Sequence, residues 1–306
     1  MKILVVGDLH GQKPVIKFKD FDCIVQIGDV CDDSGFRPYY NKFFKLLSQG
    51  KDSPDVNDMI VADIGKRGFN KLITESLAKG HEILKYLNSF GKPVFFVPGN
   101  WDESYGKTKI KNIDASVYNY VKSFYDNYLS GKANKKLLKG LKNIRDCHFQ
   151  NYSFNGINFI GYGLSSGPEL LSDRNSSTGL SAKEKAILVR TYNKLYGKLK
   201  NSYWKRNKQY PVCFISHNIP FKTKLDVVKN KDSYVHKKHL GSSIARKFCE
   251  ECKPLICIGG HIHECAGKDK IGKTLVVNTG FGRKSSVLID IDEIKGKIRK
   301  VEFYKH

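Results

Sequence analysis

Met1-Lys2-Ile3-Leu4-Val5-Val6-Gly7-Asp8-Leu9-His10-Gly11 sets a pattern that the rest of the chain repeats. The apolar run Ile3 to Val6 predicts a strand buried on both faces. It breaks at Gly7 and presents a carboxylate and an imidazole two residues apart. In an extended segment, residues i and i+2 project to the same side. Asp8 and His10 are thereby aimed together at the carboxyl end of the strand, where open α/β sheets place their ligands. On its own the pair is either a satisfied strand-to-loop turn or half of a metal site.

The same grammar returns four times. Cys23 to Ile27 ends in Gly28-Asp29-Val30-Cys31-Asp32-Asp33, and Pro93 to Val97 ends in Pro98-Gly99-Asn100-Trp101-Asp102. Val212 to Ile215 delivers Ser216-His217-Asn218-Ile219-Pro220, and Leu255 to Ile258 delivers Gly259-Gly260-His261-Ile262-His263-Glu264. Strands that share such endings are expected to run parallel, with their polar ends on one rim. Thr274 to Val277 and Ser286 to Ile291, with Ile298 to Tyr304, are expected as edge strands and a terminal hairpin. Cys147 to Tyr152 and Ile157 to Tyr162 flank an Asn155-Gly156 turn and predict a hairpin.

Helical spacing connects these strands. Phe36, Tyr40, Phe43, Phe44 and Leu47 form one apolar face; Phe69, Leu72, Ile73, Leu77, Leu84 and Leu87 form another. The polar segment Ser48 to Asp58 between them predicts a loop. Asp114 is placed to cap a helix carrying Val117, Val121, Phe124 and Tyr128. Ser181 and Glu184 make a capping box ahead of Leu188, Tyr192, Leu195 and Leu199. The chain thus predicts one domain, residues 1–306, with helical inserts at about 34–90, 105–145 and 168–209.

Bulk properties narrow the class. Apolar residues make up 40% of the 306 positions, enough for a substantial core. No run has the length of a bilayer span, and the opening apolar stretch is too brief for a signal peptide, so a cytoplasmic protein without membrane association is expected. Eight cysteines are scattered through apolar runs, as buried hydrophobes in a reducing compartment are. Cys249 and Cys252 form a lone C-x-x-C without a second pair at zinc-ribbon spacing, and read as structural. The net charge of +23 favours anionic partners, whether phosphorylated substrates, nucleic acid or an anionic surface. It equally suits a lysine-rich solvated exterior.

Side by side, the five strand ends carry Asp8, His10, Asp29, Asn100, His217, His261 and His263; four of the nine histidines sit there. Mixed oxygen and imidazole donors suit manganese, iron, zinc, cobalt or nickel, and a structural thiolate site is not indicated. Seven donors exceed the need of one cation, so two adjacent metals sharing a carboxylate is the economical reading.

Asp-x-His, Gly-Asp-x-x-Asp, Gly-Asn-x-Asp, a strand-end His and Gly-His-x-His, in this order, resemble the calcineurin-like metallophosphoesterase superfamily. Ser216 to Pro220, Leu225-Asp226, His239-Leu240-Gly241-Ser242 and Gly260 to Glu264 resemble more narrowly a prokaryotic branch of phosphoesterases related to cyclic-nucleotide phosphodiesterases. The resemblance implies a four-layer αββα sandwich: two mixed β-sheets packed face to face, flanked by helices. It implies two divalent metals, manganese foremost. One is held by Asp8, His10, Asp29 and His263, the other by Asp29, Asn100, His217 and His261. It further implies hydrolysis of a phosphodiester or a small phosphomonoester by a hydroxide bridging the metals, with Asp29, Asn100 and His217 central to catalysis. Asp32 and Asp102 are implied as residues that orient the ligands or their loop.

One position departs from that pattern. Family members commonly carry His directly after the metal-binding Asn, where it helps the leaving group; here Trp101 stands there. General acid catalysis is worth about 10²–10⁴-fold, so its loss tells most on poor leaving groups. His239 or Asp226 are the nearest substitutes by chemistry, and His239 equally suits a helix cap. A metal-containing binding protein and a nuclease are the competing readings. The first rests on Trp101; the second rests on charge, with no nucleic-acid-binding motif behind it.

Overall fold

The computed structural model describes residues 1–51, 53–102, 137–163, 182–231, 233 and 235–305. The expected Asp114 helix and the Ser181–Glu184 capping box lie outside the described residues.

Each strand of the opening pattern forms and is buried on both faces. β1 (Lys2–Val6), β2 (Cys23–Gln26), β3 (Val94–Phe96) and β4 (Ile144–Asp146) run parallel in that order. β11 (Ser285–Asp292) and β12 (Lys297–Lys305) extend this sheet antiparallel from β1, giving the order β12-β11-β1-β2-β3-β4. The second sheet has the order β5-β6-β7-β8-β10-β9. Its members are β5 (Asn151–Phe154), β6 (Ile157–Tyr162), β7 (Val212–Asn218), β8 (Ile256–Gly260), β9 (Gly267–Ile271) and β10 (Thr274–Asn278). β6, β7, β8 and β10 are parallel, and the outer pairs antiparallel.

Period-two alternation distributes the side chains between layers. Ile3 and Val5 point between the sheets, where they meet Val25, Phe95, Phe159, Ile215 and Ile258; the Phe95 and Phe159 rings stack at 3.8 Å. Leu4 and Val6 point the other way, onto Ile83, Leu84 and Leu87 of helix α2 (Val56–Asn88). The outer face of the second sheet packs on α3 (Ala182–Trp204) and α4 (Ser243–Cys252) through Tyr192, Leu195, Leu199, Ile244 and Phe248. The result is the expected αββα sandwich. Fully burying each such apolar side chain contributes about 1.5–3 kcal/mol.

Several local readings change. Thr274 to Val277 and Ser286 to Ile291 are interior strands, not edges: β10 lies between β8 and β9, and β11 between β12 and β1. Their near-continuous burial was the signal. At these ends of the two sheets the edge strands are β12 and β9, whose Lys268 and Lys270 face solvent, and β9 was not anticipated. β4 emerges from the lysine-rich insert expected to be helical. The loop after α1 (Arg37–Ser48) ends sooner than expected, because Asp55 caps α2 by accepting from Asn57 N at 2.8 Å. α2 then bends at Gly65, whose φ of 68° only glycine adopts without strain. The Asn155-Gly156 hairpin forms with both residues at positive φ, 43° and 75°, as a type I′ turn requires, but its first strand starts at Asn151 rather than Cys147. All eight cysteines are free and buried; Cys249 and Cys252 belong to the α4 face on the core, and burial lifts the Cys252 thiol to about 11. Among the described residues, no helix is long and apolar enough to cross a membrane.

Candidate metal centre

The carboxyl ends of β1, β2 and β3 in one sheet and of β7 and β8 in the other meet along one rim. Asp8, His10 and His263 form one cluster of donor atoms within 4.8 Å of one another, and Asp29, His217 and His261 form a second. Asn100 joins the second, with its Oδ1 3.1 Å from His217 Nε2. All seven residues anticipated as ligands are therefore brought together.

The backbone is bent to achieve this. His10, Asp29 and His261 have φ of 46°, 52° and 66°, in the left-handed region that non-glycine residues avoid. Such strain persists only where surrounding structure enforces it, and it concentrates at functional sites. The glycines beside them are required for space. A Cβ on Gly28 (φ 107°) would stand 2.3 Å from Gly99 N, and one on Gly99 would stand 2.1 Å from Asp29 Oδ1.

The two clusters meet at Asp29. Its Oδ2 lies 3.8 Å from His10 Nε2 and 3.6 Å from His217 Nε2, while Oδ1 accepts from Trp101 N at 2.9 Å. Two of the imidazoles have a close neighbour at Nδ1. His217 Nδ1 lies 2.8 Å from the Ile27 carbonyl oxygen; a carbonyl only accepts, so Nδ1 carries a proton and Nε2 is the nitrogen turned toward Asn100 and Asp29. His10 Nδ1 lies 3.0 Å from Asp33 Oδ2, and Arg37 grips the same carboxylate with two contacts of 2.8 Å. His263 Nε2 is 2.7 Å from Asp8 Oδ2, which also accepts from His261 N at 2.8 Å.

The electrostatics suit cations. Asp8 is fully buried, and its Oδ1 has no hydrogen-bond partner. Burial opposes its charge, yet the rings of His217, His263 and His10 together bring its pKa down to about 2. Asp29 is the opposite case. Burial holds its pKa well above the ordinary range, against the pull of His10 and with Asp8 and Asp102 adding repulsion. A buried carboxylate between two others, facing imidazole lone pairs, is an environment that a divalent cation relieves. The donor set fits two such ions without a thiolate.

The flanking residues divide by position. Asp102 is buried and accepts from Val30 N, Cys31 N and Gly99 N at 2.8–2.9 Å, so it staples the Asp29 loop to the Asn100 loop. Asp32 turns away, pairing with Lys79 and with Ser34, whose N and Oγ it accepts from. The carboxylate beside His10 is its neighbour Asp33, which spacing alone did not single out. Trp101 turns its ring to Phe36 and Tyr40, at centroid distances of 5.7 and 5.3 Å, in the aromatic cluster under α1 and α2. Asp226 and His239 pair with each other, Oδ1 to Nδ1 at 2.7 Å. Asp226 also accepts from the main chain of Lys222, Thr223 and Gly241, knotting the loop that precedes α4. In front of His10 and His263 opens a cleft of about 820 Å³, lined also by Phe281, Arg37, Lys79, Arg283 and Lys284.

Two mixed sheets whose strand ends converge on paired carboxylate–imidazole clusters form an α/β sandwich with two candidate metal sites on one rim. Matching over residues 1–265 to the model of the calcineurin-like phosphoesterases, this chain belongs to that family. An uncharacterized protein of Methanocaldococcus jannaschii is 28% identical over 285 residues, covering 91% of this chain and 87% of its own. A solved structure 15% identical superposes with a TM-score of 0.58, covering 99% of this chain and 98% of its own, and supports the fold. A dimetal phosphatase from Danio rerio, 10% identical, aligns over 99% of this chain and 98% of its own with a TM-score of 0.39.

Proposed function

We propose that this chain is a two-metal phosphoesterase that hydrolyses a phosphodiester or a small phosphomonoester. The observation that carries this reading is Asp29 Oδ2, placed between His10 Nε2 and His217 Nε2 at 3.8 and 3.6 Å. A carboxylate so placed is shared by both clusters. Asp8, His10 and His263 would hold one ion with it; Asn100, His217 and His261 would hold the other. Manganese suits the set first, with iron, zinc, nickel or cobalt also compatible.

When bound, such a pair supplies Lewis acidity toward phosphoryl oxygens and a water deprotonated near neutral pH. The chain supplies the rest. Asp29 would offer its carboxylate to both ions. Asn100 gives a neutral oxygen, which limits the negative charge repelling an anionic substrate. His217 is held in orientation by Ile27, and Asp33 lies against His10 Nδ1. No proton donor stands at Trp101, so substrates with good leaving groups, diesters or activated aryl esters, are favoured.

The test is hydrolysis of bis-p-nitrophenyl phosphate by purified protein with Mn²⁺, with Asp29→Ala losing it. Trp101 is the observation behind a second reading, a metal-containing binding protein. Absence of turnover with any divalent metal would favour that reading and reject ours.

A further inference from the structure

Arg283 and Lys284 stand on the turn after β10, and that turn is fastened to the metal centre. Gly282 N donates to the Asp8 carbonyl at 2.8 Å, Lys284 N and Ser285 N donate to the Phe281 carbonyl at 2.9 and 3.0 Å, and Ser285 Oγ donates to Thr279 O at 2.7 Å. A Cβ on Gly282 would lie 2.7 Å from Gly7 O, so the turn packs directly on the backbone next to Asp8. Main-chain bonds thereby fix the position of this turn relative to the ligands.

The turn forms one side of the 820 Å³ cleft whose lining also includes His10 and His263. Of the other cations in the lining, the Arg37 guanidinium is taken by Asp33 at 2.8 Å and the Lys79 ammonium by Asp32 at 2.5 Å. Among the described residues, Arg283 meets only the neutral amide oxygen of Gln12, at 2.8 Å, and Lys284 is joined to no carboxylate. Among the described residues, the lining cations held by no carboxylate are therefore Arg283 and Lys284, both on this turn, while the lining carboxylate of Glu264 accepts from the main chain of Lys229 and Asn230 at 2.7 and 3.2 Å. Phe281, in the same turn, lies with its ring 5.5 Å from that of His263 and 6.0 Å from that of His10, an apolar surface beside the ligands.

We propose that Arg283 and Lys284 form a second anion subsite, so that the substrate is a small molecule carrying a further phosphate besides the one at the metals. The inference rests on the phosphoesterase reading and names its substrate class. A guanidinium fork and an ammonium are the two side chains that receive phosphate best. Phe281 gives the carbon skeleton between the phosphates a surface to lie on. The volume falls in the range of small-molecule sites.

The test uses the full chain loaded with Mn²⁺ and two competitors that differ by one phosphate, adenosine 5′-monophosphate and adenosine 3′,5′-bisphosphate. Against bis-p-nitrophenyl phosphate, the bisphosphate is expected to inhibit about tenfold more tightly at low salt, two exposed charge contacts being worth about that together. The double variant Arg283→Met/Lys284→Met brings the ratio close to one. Both side chains are exposed, so core packing is untouched. A parental ratio near one, or one unchanged in the variant, overturns the subsite. If the diester is not turned over at all, calorimetric titration of the same two nucleotides reads the subsite separately from the activity. Tight binding of single-stranded RNA that the double variant abolishes, with a salt slope well beyond two phosphates, would replace the small molecule with a polymer and overturn the proposal.

Discussion

His217 Nδ1 lies 2.8 Å from the carbonyl oxygen of Ile27, joining the end of β7 in one sheet to the end of β2 in the other. That single contact sets the tautomer of a buried ring and spans the two layers of the fold. His217→Ala removes a proposed ligand and strands the Ile27 carbonyl. It is expected to lower metal content and, in metal-free protein, to cost about 1–3 kcal/mol for the unsatisfied buried oxygen. Thermal melts with and without Mn²⁺ separate the two losses.

Asp32 and Asp33 are adjacent in sequence and opposite in role. Asp33→Asn is expected to weaken metal binding by about 10–100-fold, the usual effect of losing a carboxylate behind a ligating histidine. Asp32→Asn removes only the contacts to Lys79 and Ser34 and is expected to change metal affinity far less. Isothermal titration with Mn²⁺ on both variants decides it; equal losses would remove Asp33 from its place behind His10.

Gly99→Ala tests how closely the two ligand loops must approach. Its Cβ would fall 2.1 Å from Asp29 Oδ1, so Asp29 must move. The expected outcome is a folded protein with reduced metal stoichiometry by elemental analysis. Full loading of Gly99→Ala would mean that Asp29 is not needed where it stands.

The carboxylates give metal-free protein a pH signature. Asp8, at about 2 against an ordinary 3.8, contributes stability that is complete above about pH 4 and lost as pH falls toward 2. Asp29, held well above 3.8 by burial, acts in the opposite sense: the folded state keeps a proton that the unfolded state has released. Stability of metal-free protein therefore falls as pH rises from about 4 through the raised pKa of Asp29, and Asp29→Asn removes that fall. By the same linkage, at a pH below the raised pKa of Asp29, Mn²⁺ binding releases one proton more in the parent than in Asp29→Asn, readable by calorimetry in buffers of different ionisation enthalpy.

Trp101 packs under α1 and α2 and has no proton to transfer at neutral pH. Trp101→Phe is expected to change turnover of an aryl diester by less than about tenfold, against the 10²–10⁴-fold that a general acid is worth. A larger loss, with the melting temperature unchanged, would give the indole a direct part in the reaction.

The sequence by itself determined most of the strands and the polar residues gathered at their ends. Ile3 to Val6, Cys23 to Gln26 and Val212 to Ile215 are apolar at every step or nearly so, which only strands buried on both faces need, and each ends where a Gly or polar residue breaks the run. Asp8, Asp29, His217 and His263 were legible as candidate ligands because local spacing fixes which side chains stand at a strand end. What tertiary structure alone decided is everything that depends on neighbours distant in sequence. β11 became interior because β1 pairs with it across some 280 residues, a partnership that no local pattern encodes. Asp33 rather than Asp32 faces His10 because the loop after β2 turns between them, placing one carboxylate against Arg37 and the other against Lys79. Arg283 and Lys284 came to the cleft because Gly282 binds the backbone of Asp8, so a turn near the end of the chain is built onto the turn that opens it.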